Sequence, residues 1–99
     1  MIYAFLCEDR EDSLAARRQH RPAHLARLTA LRDQGRLLLA GPHPAIDAAN
    51  PGEAGFTGSL IVAEFPSLQE AQEWADAEPF LKTGVYRKIT VKPFIKVLP

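Results

Sequence analysis

The sequence is short of several things, and each shortage removes a class of function. It has one cysteine, Cys7, so an internal disulfide is impossible and a reducing compartment is the expectation. It has no surplus of charge, with twelve Lys+Arg against twelve Asp+Glu. Without a basic excess there is little to gain from counterion release on nucleic acid or from an anionic lipid surface, so neither partner is expected. No apolar run approaches the roughly 20 residues of a membrane span. No basic segment followed by an apolar stretch and a small-residue cleavage site opens the chain, and a cytoplasmic protein is expected. There is no Gly-rich phosphate loop, no nucleophile elbow and no paired Cys-x-x-Cys, so no cofactor and no metal are expected.

What remains is ordinary globular material, 46% hydrophobic over 99 residues. That length fits one domain, residues 1–99, with a modest core that an additional interface would help. Ile2 to Cys7 is aromatic and β-branched and reads as a strand. Cys7 sits in that run as a small buried filler, followed at once by Glu8 and Asp9, which disfavour a thiolate. Glu8 to Ser13 is a polar break, and Leu14 to Gln19 can form a short helical turn. Pro22 is disfavoured inside a helix and comfortable in its first turn, so the main helix is predicted to start near Arg21. Leu25, Leu28 and Leu31 mark its apolar face, and Gly35 stops it.

Arg36 to Ala40 is a second strand ended by Gly41-Pro42, and His43 to Phe56 is a loop rich in proline and glycine. Its length of about 14 residues is typical of a functional cover. Thr57 to Phe65 is a third strand. Ser67 with Glu70 is a capping box opening a helix through Leu68, Ala71, Trp74 and Ala75, closed by Glu78-Pro79. Gly84 to Leu98 is a last strand, bent near Pro93. The order strand–helix–strand–strand–helix–strand predicts a ferredoxin-like βαββαβ α+β sandwich, with an antiparallel sheet and the helices on one face. Such a sheet should alternate apolar and polar residues, yet the first three strands are apolar on both sides. A second copy of the chain is the simplest cover for the spare face, and a homodimer is therefore expected.

Chemistry has few places to live. His24, in phase with Leu28 and Leu31, points toward the core side of the main helix. Placed near a helix N-terminus it feels the positive end of the dipole, which keeps the ring available as a base; the plainer alternative is a core histidine bonded to a backbone carbonyl. Arg17 and Arg21 are candidates to anchor a carboxylate-bearing substrate. His20 and His24 have the spacing of a helical metal pair, but no third ligand is near in sequence. His43 reads as exposed and Asp76 as solvated. Glu78, where the chain turns back, is the better carboxylate to orient a histidine. Ser59, after Gly58, offers a hydroxyl.

Several stretches carry a resemblance. They are Arg17, Arg21-Pro22-Ala23-His24-Leu25-Ala26-Arg27-Leu28, Gly35 through Pro42, Gly55-Phe56-Thr57-Gly58-Ser59, Trp74 through Phe80, Gly84-Val85-Tyr86 and Val91-Lys92-Pro93-Phe94. Together they resemble the YciI-like proteins of the YCII-related family, from Tyr3 almost to the C-terminus. The resemblance implies a dimeric ferredoxin-like α+β barrel related to muconolactone isomerase, with a pocket holding a histidine and an aspartate. It also implies dehydrochlorinase or isomerase activity among some relatives. By position the histidine is His24. The family's carboxylate is the aspartate of an Asp-Pro pair, and here Glu78 precedes Pro79.

The expectation is an enzyme that moves a proton on a small anionic organic molecule, by isomerisation or HX elimination. His24 is its acid or base, Glu78 the orienter, Arg17 or Arg21 the anchor, and Ser59 lines the pocket. The rival is a non-catalytic dimeric module that uses the same pocket to bind a metabolite or a partner.

Overall fold

The two-residue alternation of Ile2–Asp9 (β1) puts Tyr3, Phe5 and Cys7 on one side, and all three are buried. A computed structural model covering residues 1–99 places β1 at the centre of a four-stranded antiparallel sheet. The other strands are Leu37–Pro44 (β2), Phe56–Glu64 (β3) and Tyr86–Phe94 (β4), in the order β2-β3-β1-β4. Register pairs Phe5 with Ile61 on one side and Val91 on the other, and Tyr3 with Ala63. These inward residues pack against Leu28 and Leu31 of α1 (Leu14–Asp33), Ala71 and Ala75 of α2 (Leu68–Asp76), and Phe80 of α3 (Pro79–Lys82). The core residues of the sheet share one face, so the helices cover that face alone: the ferredoxin-like βαββαβ arrangement.

The opposite face carries Ile2, Ala4, Leu6, Leu39 and Leu60 in adjacent register positions. Leu39 is 51% exposed and Leu6 38%. Beyond β4, Ile95, Val97 and Leu98 are also exposed, and no regular structure follows Phe94.

Several boundaries differ from the sequence reading: β4 is Tyr86–Phe94 and not Gly84 to Leu98, α2 ends at Asp76 with α3 as a separate short helix, and α1 and β2 run longer than expected. The first helix does not start at Arg21; it runs from Leu14 to Asp33 with Pro22 inside. Proline removes one backbone donor and crowds the preceding turn, an effect of about 3 kcal/mol. Side-chain anchors hold the helix on both sides of it, Arg17 to Asp9 before and His24 to Glu78 after, and they offset that loss. Strand β2 likewise does not stop at Gly41-Pro42 but continues to Pro44. It is an edge strand, where a missing donor is tolerated on the open side. The loop is correspondingly shorter and includes a single turn of 3₁₀ helix at Gly52–Ala54.

The N-cap half of the predicted capping box is formed, the Ser67 hydroxyl accepting from the Glu70 amide at 3.1 Å. Gly58 has a different job. A Cβ there would lie 2.1 Å from the Cys7 carbonyl oxygen, so only glycine lets β1 and β3 close together at this register. No helix is long and apolar enough to cross a membrane.

Candidate functional site

Helix α1 lies across the sheet and turns Arg17, His24, Leu28 and Leu31 inward. Between α1, the start of β3, the end of β2 and the loop before β3 is a cavity of about 340 Å³. His24, Arg17, Arg21 and Ser59 all line it, with Phe56, Phe80 and Asn50 among the other walls. The structure therefore brings four of the five candidate residues to one cavity, and the fifth, Glu78, stands directly behind His24.

His24 lies in the middle of α1, not at its N-terminus, so the terminal dipole does not act on it. Its surroundings come from other elements. The imidazole stacks on Phe80 at 4.1 Å and 10°, and the edge of Tyr86 closes another side at 6.2 Å. Nδ1 meets Glu78 Oε1 at 2.5 Å. Nε2 has no partner within the chain, and the ring borders the cavity.

Glu78 is fully buried. It sits there because Pro79 starts α3 and Glu78 is its N-cap, the carboxylate accepting from the Phe80 amide at 3.3 Å. The other oxygen, Oε2, accepts from Arg27 Nη1 at 3.0 Å. One carboxylate is thus fixed from three directions.

Arg17 is in the cavity wall but is not free. Its Nε and Nη2 donate to Asp9 at 2.6 and 2.8 Å, a bidentate pair. Nη2 also donates to the Gly58 carbonyl at 2.9 Å and to Ser59 Oγ at 3.0 Å. Asp9 is further held by the Ser13 hydroxyl at 2.6 Å. The guanidinium packs over Phe56, Phe80 and Tyr86 at 5.0–5.8 Å. This knot ties β1, α1 and β3 together under the cavity. Arg21, in contrast, is exposed on the cavity rim and makes no side-chain bond within the chain. Arg18, beside it, meets Glu53 of the loop at 3.3 Å.

Two further groups lie below. Burial pushes the Cys7 thiol up to about 12, so it is no nucleophile. Burial also raises the Tyr86 phenol, whose hydroxyl is buried with no hydrogen-bond partner. No three His, Cys, Asp or Glu side chains converge in the geometry of a metal site, and His20 and His43 lie outside the cavity lining.

The sequence reading missed Asp9, Ser13, Arg27 and Tyr86. Asp9, Ser13 and Arg17 recur every four residues, a signal hidden by treating Glu8 to Ser13 as a simple break. Arg27 follows His24 by three residues and so shares its helix face.

Known proteins match this chain end to end. It is 58% identical over 97 residues to Protein YciI of Escherichia coli O6:H1, covering 98% of this chain and 99% of that one. It is 50% identical over 97 residues, with the same coverage, to an uncharacterized protein of Haemophilus influenzae. Among solved structures it resembles the 5-chloro-2-hydroxyhydroquinone dehydrochlorinase of Burkholderia phenoliruptrix AC1100, in complex with 2,5-dihydroxybenzoquinone. The TM-score is 0.83 and the identity 26%, over 96% of this chain and 94% of that one. The YCII-related domain model matches residues 1–95, and the chain belongs to that family.

Proposed function

We propose that this chain is a proton-transfer enzyme acting on a small anionic organic molecule, by isomerisation or by elimination of HX. One observation carries the reading: a histidine whose Nδ1 is held by a buried carboxylate at 2.5 Å, with its Nε2 unpartnered beside a cavity of about 340 Å³. A base oriented in this way needs no cofactor to take a proton from carbon or from a hydroxyl. Glu78 fixes the tautomer and the ring plane, and stacking on Phe80 limits rotation. A dehydrochlorinase among the structural neighbours supports elimination as the reaction class. In that reaction Nε2 takes the substrate proton, and the electron pair left behind forms a new double bond. The carbon–halogen bond breaks, and the halide leaves with its electrons. In an isomerisation the same nitrogen returns the proton to a different atom.

Substrate charge is met by Arg21, because Arg17 is consumed by Asp9. Ser59 supplies a hydroxyl to the cavity lining, to which Asn50, Pro51 and Gly52 of the loop before β3 also contribute. A thermal-shift screen of small carboxylates, phenolates and hydroxyquinones should find stabilising compounds. A turnover assay on each, following chloride release or double-bond absorbance, then tests the reaction. Arg21→Ala should raise KM about tenfold, as loss of a charge-assisted hydrogen bond does, with kcat within about twofold. Compounds that bind but never turn over would leave the metabolite-binding module as the function.

The same reading includes a homodimer. The apolar outer face of the sheet is contiguous across β1, β2 and β3, and a second copy is its natural cover. Light scattering at micromolar concentration should report twice the monomer mass, from an interface above about 1,200 Å² in total. A monomer at that concentration would remove the argument.

A further inference from the structure

Glu78 has two neighbours able to balance its charge, and only one of them is needed. His24 meets Oε1 and Arg27 meets Oε2. Arg27 is itself fixed: Nη2 donates to the Trp74 carbonyl at 2.9 Å, and the guanidinium lies 4.3 Å from the Trp74 ring centre. We infer that Arg27 is a positioning residue that supplies the counter-charge of Glu78, so that His24 remains a neutral base with Nε2 free toward the cavity. The inference deepens the proton-transfer reading above and depends on it for its catalytic meaning.

The argument is one of charge balance in a buried site. An ionised carboxylate away from water must be paired, and one full opposite charge is enough. A guanidinium stays charged in proteins, whereas an imidazole gains its charge only by taking a proton. Burial lowers Arg27 somewhat from the usual arginine range, and Glu78 opposes that shift. With Arg27 and Glu78 summing to zero, a proton on His24 would leave a net positive charge between the rings of Phe80 and Tyr86.

No other group supplies a compensating negative charge. On α1, Arg17 is neutralised by Asp9 of β1, and Arg21 is a cation on the rim. Cys7 of β1 and Tyr86 of β4 are held protonated by burial. Strand β3 contributes the uncharged Ser59, and α2 only the Trp74 carbonyl. His24 therefore stands between two ion pairs that are each already balanced. Without Arg27, the imidazole would have to become the cation that Glu78 requires, and a permanent imidazolium cannot accept a substrate proton.

The test is the ¹⁵N NMR pattern of the His24 ring at neutral pH, assigned by its disappearance in His24→Gln. Wild type and Arg27→Lys, which keeps the charge, should both show a neutral ring with the proton on Nδ1. Arg27→Met should show both nitrogens protonated. The double variant Arg27→Met with Glu78→Gln removes both charges and should return a neutral ring. An Arg27→Met protein with the wild-type pattern, or a wild-type ring already doubly protonated, would overturn the inference. If Arg27→Met does not fold, wild type, Arg27→Lys and the double variant still decide: a doubly protonated ring in any of them overturns the inference. A merely structural arginine would lower stability in the methionine and lysine variants alike and leave the ring pattern unmoved. Because the NMR signal needs no substrate, failure here is distinguishable from failure to find a reaction.

Discussion

Replacing His24 with alanine should lower turnover by about 10²–10⁴-fold, the usual contribution of a general acid or base, while the protein stays folded. The rate falls because Nε2 is the one unpartnered imidazole nitrogen on the cavity wall. The fold survives because Glu78 is not abandoned. Its carboxylate keeps the Arg27 guanidinium at 3.0 Å and the Phe80 amide at 3.3 Å after the imidazole is gone. Glu78→Gln should lower turnover less, since the base is still present but its tautomer and ring plane are no longer dictated by a carboxylate. Circular dichroism and thermal melting separate the two effects. A His24→Ala protein that is well folded and turns substrate over at the wild-type rate would end the catalytic reading.

Asp9→Ala should be the most destabilising single change in the site, about 3–5 kcal/mol, because it leaves Arg17 buried without its carboxylate. Arg17 and Asp9 have side-chain exposures of only 9% and 1%, so water cannot replace the lost partner. Ser13 loses its acceptor in the same step. For a domain of this size the loss corresponds to a fall in Tm of about 4–8 °C per kcal/mol. Urea unfolding measures it as a lower midpoint at unchanged slope. Asp9→Ala combined with Arg17→Met removes the stranded charge and should recover much of the loss, since apolar replacement of a buried pair is often close to neutral. A change below about 1 kcal/mol in the single variant would show that the pair is solvated in solution.

These two residues also mark where sequence reasoning worked and where it ran out. His24, in phase with Leu28 and Leu31, was readable as inward-facing because helical periodicity is a local property. Glu78 was readable from the turn that Pro79 imposes. The strands and their order followed from alternation and punctuation, and the capping box at Ser67 located α2 to the residue. The extent of α1 was not readable from Pro22. A proline's local penalty is visible in the sequence, but the tertiary anchors at Arg17 and His24 that outweigh it come from β1 and from the start of α3. Asp9 was lost for the same reason. Its partner lies eight residues away across a turn, and only the folded chain brings the two together with Gly58 and Ser59. The assignment of Arg17 as a free anchor followed from that omission, since its charge was counted without the carboxylate beside it.

Both edges of the sheet carry prolines inside their strands, Pro42 and Pro44 in β2 and Pro93 in β4. The ladder from β2 to β3 includes Pro42 and ends at Pro44, and Pro93 still pairs with Tyr3. An incoming strand from another molecule would meet those edges with backbone donors missing, and could not zip onto them along their length. Prolines in both edge strands work against sideways growth of the sheet into an endless ribbon. The broad face is left as the surface on which the proposed second copy would sit, and the proline-bearing edges act as gatekeepers against strand-to-strand aggregation.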